Sequence, residues 1–211
     1  MKPLLVTSSF IFLVTSSLWG QSLIYDVIRN GESMGVTKVN RRVQNDIISY
    51  ELITQTEFRI LFKFEVEYEL EESFQGSVLT TGSGFNTLNG SRQKTTKLNK
   101  KDQYYELIID GIHTKIDEVE IRDSVSEVYF EEPYHNKEVF SAYFGRYLTF
   151  EKLGEHKYKL TSPDGVNEYT YENGICTYVK VSRDFATFSQ ELKPDLLAAV
   201  RNNTFAKSIS K

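Results

Sequence analysis

The chain predicts an all-β fold: a single curved antiparallel meander, a half-barrel or open barrel, with one or two short helices near residues 124–145. Three observations predict it. Apolar and polar residues alternate at period two from about residue 23 nearly to the end, as strands with one buried face require. Asn-Gly and Asp-Gly pairs punctuate that alternation. The composition is aromatic, with 14 Phe and 13 Tyr against 2 Met and 4 Pro, and such residues suit a pleated, half-buried surface.

The elements follow in order. Residues 1–20, MKPLLVTSSFIFLVTSSLWG, read as a secretory signal: Lys2 gives a charged start, Leu4 to Leu18 an apolar run, and Gly20 a small residue before a cut. The run is too short and too rich in hydroxyls to span a bilayer well. The mature protein is therefore expected to begin near Gln21, with no transmembrane span. The first hairpin turns at Asn30-Gly31. A two-residue turn of this kind needs positive φ at both positions and fixes the register of the strands it joins. It groups Leu23, Tyr25, Val27, Met34 and Val36 on one face.

Residues 61–74, LFKFEVEYELEESF, then place Phe62, Phe64, Val66, Tyr68 and Leu70 on one side and Lys63, Glu65, Glu67, Glu69 and Glu71 on the other. Same-side residues of a strand stand roughly 6.6 Å apart. A row of carboxylates at that spacing cannot stay ionised in a dry interior, because each isolated buried charge costs several kcal/mol. The glutamate side faces water, with lysines or threonines on neighbouring strands to relieve the repulsion. Residues 92–102, RQKTTKLNKKD, are polar on both faces and read as an edge strand.

The Asp110-Gly111 turn sets Ile109 opposite Ile112, Leu107 opposite Thr114 and Tyr105 opposite Ile116, with Ile108–His113 and Glu106–Lys115 on the other face. The Asn173-Gly174 turn sets Tyr171 opposite Cys176 and Tyr169 opposite Tyr178. Asn89-Gly90 and Asp164-Gly165 mark two further turns. Between these hairpins, RDSVSEVYFEEP has Ser124 three residues before Glu127, a capping-box spacing, which predicts a short helix ending before Pro133. HNKEVFSAYFG, residues 135–145, reads as another helical turn or two closed by Gly145. The tail from Pro194 is a frayed helix or disordered. No linker interrupts the alternation. The organisation is a signal at 1–20, one antiparallel β domain at 21–193, and a tail at 194–211.

A net charge of −4 and a pI near 5.5 argue against nucleic acid as a partner, since phosphate binding runs on clustered Lys and Arg. One cysteine, Cys176, excludes an internal disulfide. A domain of this length can live on its core alone, which suits a periplasm or cell exterior.

No motif rises to a mechanism, and no cofactor or metal is expected. His113 occupies a cross-strand polar position and His156 a turn. His135 has Glu131, Glu132 and Tyr134 beside it, but Pro133 interrupts the helix that would put Glu131 and His135 on one face. Cys176 has no basic neighbour in sequence to activate it. GSGFNT, residues 82–87, lacks both the strand-turn-helix context of an exposed serine nucleophile and the third glycine of a dinucleotide loop. The residues best suited to a ligand are strand aromatics: Phe64, Tyr68, Tyr105 and Tyr169, whose phenols on an apolar wall would suit an amphipathic guest.

YDVIRNGESMG, EEPYHNKEVFSAYFG and YKLTSPDGVNEYTYENG together resemble an uncharacterised family, a domain of unknown function, of secreted Gram-negative bacterial proteins. The resemblance spans most of residues 23–192. It rests on structural features: turn glycines, strand aromatics and Glu132-Pro133. It implies no catalytic residues. More distantly, the opening Tyr-x-Val…Asn-Gly and the central Ser-led helix resemble periplasmic proteins whose curved sheets are like those of lipoprotein carriers. That second resemblance implies an open, curved β-architecture.

Three readings of function follow. The first is a non-enzymatic exported module, periplasmic or secreted, holding an apolar or amphipathic small molecule in a concave sheet. The alternative is an envelope structural or interaction protein with a filled core. The third is an unrecognised enzyme centred on residues 131–147, with His135, Glu132 and Arg146 as its polar groups.

Overall fold

The turn chemistry holds at four of the five expected turns. Asn30, Asn89, Asp110 and Asn173 all have φ between 49° and 53°, and the glycine after each lies between 76° and 84°, the left-handed pair that a type I′ hairpin requires. In the computed structural model, which describes residues 18–59, 62–184 and 186–205, these turns join strands of a single antiparallel sheet.

The strands are β1 (Leu18–Arg29), β2 (Glu32–Gln44), β3 (Ile47–Arg59), β4 (Lys63–Gln75), β5 (Val78–Leu88), β6 (Ser91–Lys100), β7 (Tyr105–Ile109), β8 (Ile112–Ile116), β9 (Glu138–Ser141), β10 (Arg146–Gly154), β11 (Lys157–Ser162), β12 (Gly165–Glu172), β13 (Ile175–Arg183) and β14 (Ala186–Leu192). A helix, α1 (Pro194–Arg201), follows. The sheet order is β8-β7-β6-β5-β4-β3-β2-β1-β14-β13-β12-β11-β10-β9. The first and last strands are thus neighbours in the middle, and β8 and β9 are the two edges of a sheet that is not closed into a barrel. The first seventeen residues, which hold most of the expected signal, lie outside the described residues. Leu18 to Gly20, expected to precede the cut, extend β1 against Arg42 to Gln44 of β2.

Registers match expectation near the turns and depart from it at bulges. The β7–β8 hairpin pairs as its turn dictates, Tyr105 with Ile116 through Ile109 with Ile112. In β1–β2 a bulge shifts the register between Val27 and Ile28. Tyr25 therefore meets Thr37 and Leu23 meets Val39, while Val36 pairs with Asp26 and is exposed. One extra residue flips every later side chain. Gly35 sits at this bulge with φ near 148°, and a Cβ there would lie 2.0 Å from the Gln55 carbonyl oxygen. A second bulge follows Tyr171–Cys176, so Val179, not Tyr178, faces Tyr169. The β11–β12 corner is Pro163-Asp164, not Asp164-Gly165: Ser162 pairs with Gly165, because Pro163 supplies the fixed φ of a corner. Strand β6 is internal, between β5 and β7. The chain adds the β7–β8 hairpin beyond it, and Thr96 and Leu98 are buried on its inner face.

The sheet curls until one edge tucks inside the other. The corner at residues 141–145 lies on the inner face of β5 to β7. A Cβ on Gly82 would lie 2.9 Å from Ala142 Cβ, and one on Gly145 would lie 2.2 Å from Leu107 Cδ2. The segment between the two edge strands is exposed at residues 117–120 and 134–136 and crosses the interior between them, where Ile121, Ser124, Ser126, Val128, Tyr129 and Phe130 are buried. The Leu79 amide donates to the Ile121 carbonyl and the Phe140 amide to the Asp123 carbonyl, which continues the edge of β9. The expected helix at 124–130 is one 3-10 turn, Glu127–Tyr129. Its capping box is half made: the Glu127 carboxylate accepts from the Ser124 amide at 2.8 Å, while the Ser124 hydroxyl turns to Glu72. The segment 135–145 holds the four-residue β9 between two turns, in the second of which the Gly145 amide donates to the Ser141 carbonyl at 2.7 Å.

Candidate functional site

The inner face divides into two halves along the strands. At one end gather the turns 45–46, 76–77, 101–104, 155–156 and 173–174, together with α1. There the inner positions Tyr50, Leu52, Leu70, Phe74 and Leu79 are buried. The 3-10 turn fills the hollow between the walls. Tyr129 packs edge-on against Tyr25 and Tyr169, and Phe130 against Tyr50. The Tyr171 hydroxyl donates to the Val128 carbonyl at 2.8 Å. Helix α1 docks on the 173–174 turn: Asn173 Nδ2 donates to the Val200 carbonyl, and Arg201 forms a fork with the Glu172 carboxylate. Val200 is buried beneath it.

At the other end gather the turns 30–31, 89–90, 110–111 and 163–164. The same strands present Thr54, Thr56 and Phe58, then Phe64, Val66 and Tyr68, then Asn86 and Leu88, all half-buried on the inner face. The opposite wall contributes Asn167, Arg183 and Phe188, also half-buried. Tyr129, Tyr169 and Gln190 form the floor, with the Tyr129 hydroxyl 3.2 Å from Gln190 Oε1. Two electrostatic links show the walls facing each other. Asp164 of the β11–β12 corner acts on the Tyr68 and Tyr143 phenols and on Lys94, and Tyr68 acts on Arg183.

Tyr68 is the informative member of this mouth. Burial pushes its phenol well above the ordinary range, yet part of its side chain stays accessible. A residue on a concave wall combines the two. Its ring meets Tyr143 edge-on at 5.2 Å, and its hydroxyl makes no hydrogen bond among the described residues. Buried or crowded phenols ordinarily find a partner. Phe64 stacks on Phe58 at the rim, with Arg29 over the Phe58 ring.

The four aromatics expected to line a ligand site all point inward but do not share one pocket. Phe64 and Tyr68 line the mouth. Tyr169 is part of its floor, buried against Tyr129 and Phe150. Tyr105 is in the filled half, its phenol donating to the Leu79 carbonyl at 2.7 Å and accepting from the Ile121 amide at 3.0 Å. Phe62 precedes β4 and is 73% exposed.

Glu72 was not among the expected site residues, although carrying the alternation of β4 one step past Leu70 puts it on the apolar side. It is 1% exposed. Its Oε2 accepts from Ser124 Oγ at 2.6 Å and from Ser126 Oγ, and its Oε1 accepts nothing. Burial raises the carboxyl pKa to about 6, with the two serine hydroxyls and the backbone amides of Ser126 and Ala142 pulling it down. This carboxylate pins the inner segment to the sheet. Arg183 is found by the same logic, since Val179, Val181 and Arg183 share one face of β13.

The polar groups offered for an enzyme do not converge. Glu132 holds His156, at 2.9 Å from Nδ1. His135 Nδ1 accepts instead from the Lys152 amide at 3.3 Å, and Arg146 is exposed. Cys176 is buried, and burial pushes its thiol well above the ordinary range. Among the described residues no group of three or more His, Cys, Asp or Glu side chains could hold a metal ion. No helix among them is long and apolar enough to cross a membrane.

The outer face of β4 is acidic, as expected, but only partly relieved. Lys63 pairs with Glu57 at 3.0 Å and Glu65 at 2.7 Å, and Gln55 donates to Glu67 at 3.2 Å. Glu57 and Glu51 stand directly opposite Glu65 and Glu71. Partial burial, with Glu71, Glu51 and Glu67 nearby, raises the pKa of Glu69. A shallow depression of about 410 Å³ opens at this rim, bounded by Gly35, Gln55, Glu57, Glu65 and Glu67.

No curated protein matches the chain. A solved structure, the beta-barrel-like protein of domain of unknown function DUF1849 from Brucella abortus, is similar to it at 9% identity, over 85% of this chain and 98% of that one, with a TM-score of 0.45. The model of a family described as a domain of unknown function, DUF6134, matches residues 25–193, which run from Tyr25 within β1 to the residue after β14, and the chain belongs to that family.

Proposed function

We propose that the protein is an exported, non-enzymatic module that holds an apolar or amphipathic small molecule in the open end of its curved sheet. The observation that carries the reading is Tyr68: a phenol on a concave wall, still accessible, with an unused hydroxyl, among half-buried apolar neighbours. Phe64, Val66, Leu88 and Phe188 supply the apolar lining, and pockets of this kind are mainly apolar with a few placed polar groups. Tyr169 supports the floor, and Tyr105 belongs to the packing. Export rests on the charged, apolar and small-residue succession in residues 1–20, and places the protein in the periplasm or outside the cell. No nucleic-acid partner is proposed.

Native mass spectrometry of the protein purified from its own envelope, followed by organic extraction, tests the reading. A bound small molecule, reduced in amount by Tyr68→Ala, is the expected result. The second reading, an envelope structural or interaction protein, is favoured by the filled half with its Tyr129 floor and Glu72 pin. Recovery of no small molecule, together with no binding of added amphiphiles, would leave that reading standing. Intact-mass analysis checks export, with a mass lacking residues 1–20 as the expected result.

A further inference from the structure

Two cations face the mouth without an acidic partner. Arg183 is half-buried at the end of β13. Its Nη1 donates to Asn167 Oδ1 and the Ser182 carbonyl, both at 3.0 Å, and to the Val166 carbonyl at 3.5 Å. Its Nε and Nη2 make no hydrogen bond among the described residues. Lys94, on the inner face of β6, lies over the rings of Tyr143 at 4.3 Å and Phe144 at 5.0 Å. Among the described residues no carboxylate lies within ion-pair distance of either. The acid that both sense, Asp164, is exposed on its turn. Several other cations do have carboxylates: Lys63, Lys159, Lys180 and Lys193 each pair at 3.0 Å or less.

A partly desolvated cation ordinarily has a carboxylate beside it, since leaving it unpaired costs free energy. The groups acting on Arg183 are the phenols of Tyr169, Tyr129 and Tyr68 together with the exposed Asp164, which makes no ion pair with it. A phenol hydroxyl can donate to an anion, and the free edge of the guanidinium can hold an anion's two oxygens side by side. Apolar surface adjoins this point, at Phe188 on the floor side and at Val66 and Phe64 toward the rim.

We propose that the occupant of the mouth is an amphipathic anion, its carboxylate or phosphate head held by Arg183 and Tyr68, with Lys94 adding charge, and its apolar chain laid along β4 and β14. The proposal rests on the binding reading above and adds the sign of the head group.

Calorimetric titration of the full mature chain at pH 7.5 with dodecanoate, 1-dodecanol and acetate separates the two claims. The expected result is that dodecanoate binds about tenfold more tightly than dodecanol, and that acetate does not bind. Arg183→Gln should abolish the preference for dodecanoate while leaving dodecanol affinity unchanged, which also shows that the variant is folded. Lys94→Gln should weaken dodecanoate about threefold and leave dodecanol unaffected. Equal affinities for dodecanoate and dodecanol in the unaltered protein would overturn the anionic head and leave an apolar site. Acetate binding as well as dodecanoate would overturn the amphipathic part. Binding of none of the three would overturn the binding reading itself.

Discussion

The two halves of the inner face are built from the same strands and have opposite fates. In β4, Leu70 and Phe74 are buried while Phe64, Val66 and Tyr68, on the same face, are not. In β3, Tyr50 and Leu52 are buried while Thr54, Thr56 and Phe58 are not. Strand chemistry does not make the difference, since both halves alternate and both are aromatic. What differs is what the chain lays over them. Residues 121–130 and α1 cover the first half, while the corner 141–145 reaches toward the second, with Tyr143 and Phe144 against Lys94 and Gly145 against Leu107 and Ile109. A curled sheet of this length has more inner surface than its own connections can cover. The uncovered remainder is where a foreign molecule would be bound.

The largest expected effect sharpens that contrast directly. Phe74→Ala should cost about 3–5 kcal/mol, the cost of emptying a closed core site, whereas Phe64→Ala should cost about 1–2 kcal/mol because its side chain is only partly withdrawn from water. Urea melts of the two variants measure this, and equal costs would erase the distinction between the halves.

The next effect is a pH dependence from the filled half. Glu72 has its pKa raised from 4.5 to about 6 by burial. The folded state thus holds this proton more tightly than the unfolded chain does. The stability it gives is present below pH 4.5 and is lost as pH rises through 6, by about 2 kcal/mol for a shift of this size. Glu127, raised to about 7 by burial, titrates in the same direction. Glu72→Gln keeps a hydrogen-bonding group near Ser124 and Ser126 but cannot ionise, so its stability should fall less between pH 4.5 and 7.5. Parallel curves for the two proteins would show that Glu72 does not titrate as the structure implies.

Much of this fold was legible in the sequence, and the failures have a common cause. Turn pairs such as Asp110-Gly111 dictate the pairs next to them, and β7–β8 follows its turn throughout. Bulges are set further along, by what the strand meets on its other side. Gly35 bulges against Gln55 of β3, and nothing within the β1–β2 hairpin reports that. The edge expected at β6 failed for a related reason: its lysines read as a strand end, but only the sheet order shows β7 and β8 lying beyond it. The candidate site was legible as a face and not as a place. Phe64, Tyr68, Tyr105 and Tyr169 all point inward as the alternation implies. Which of them stay open depends on where residues 117–145 lie, a long-range fact. Arg183 and Glu72 lie on apolar faces by strict alternation, and their burial is legible once alternation is followed past the hydrophobic residues.

The smallest expected effect lies on the outer wall. Replacing Glu65, Glu67 and Glu69 together with Gln should change stability by no more than about 0.5 kcal/mol, as for exposed sites generally. Lost pairing with Lys63 is offset by relief of repulsion between Glu57 and Glu65 and between Glu69 and its neighbours Glu71 and Glu51. A larger loss in the melts would mean that the wall is oriented the other way round.

Thiol labelling tests the division of the inner face most directly, because the natural Cys176 is buried and gives little background. Val66→Cys places a thiol in the mouth, and Val128→Cys places one in the filled half, where Val128 is 2% exposed. The account predicts that Val66→Cys reacts rapidly with a maleimide and is protected by saturating dodecanoate. Val128→Cys should react only as fast as the protein unfolds, with or without the amphiphile. Equal rates at the two positions, or a Val66→Cys rate that dodecanoate leaves unchanged, would contradict it.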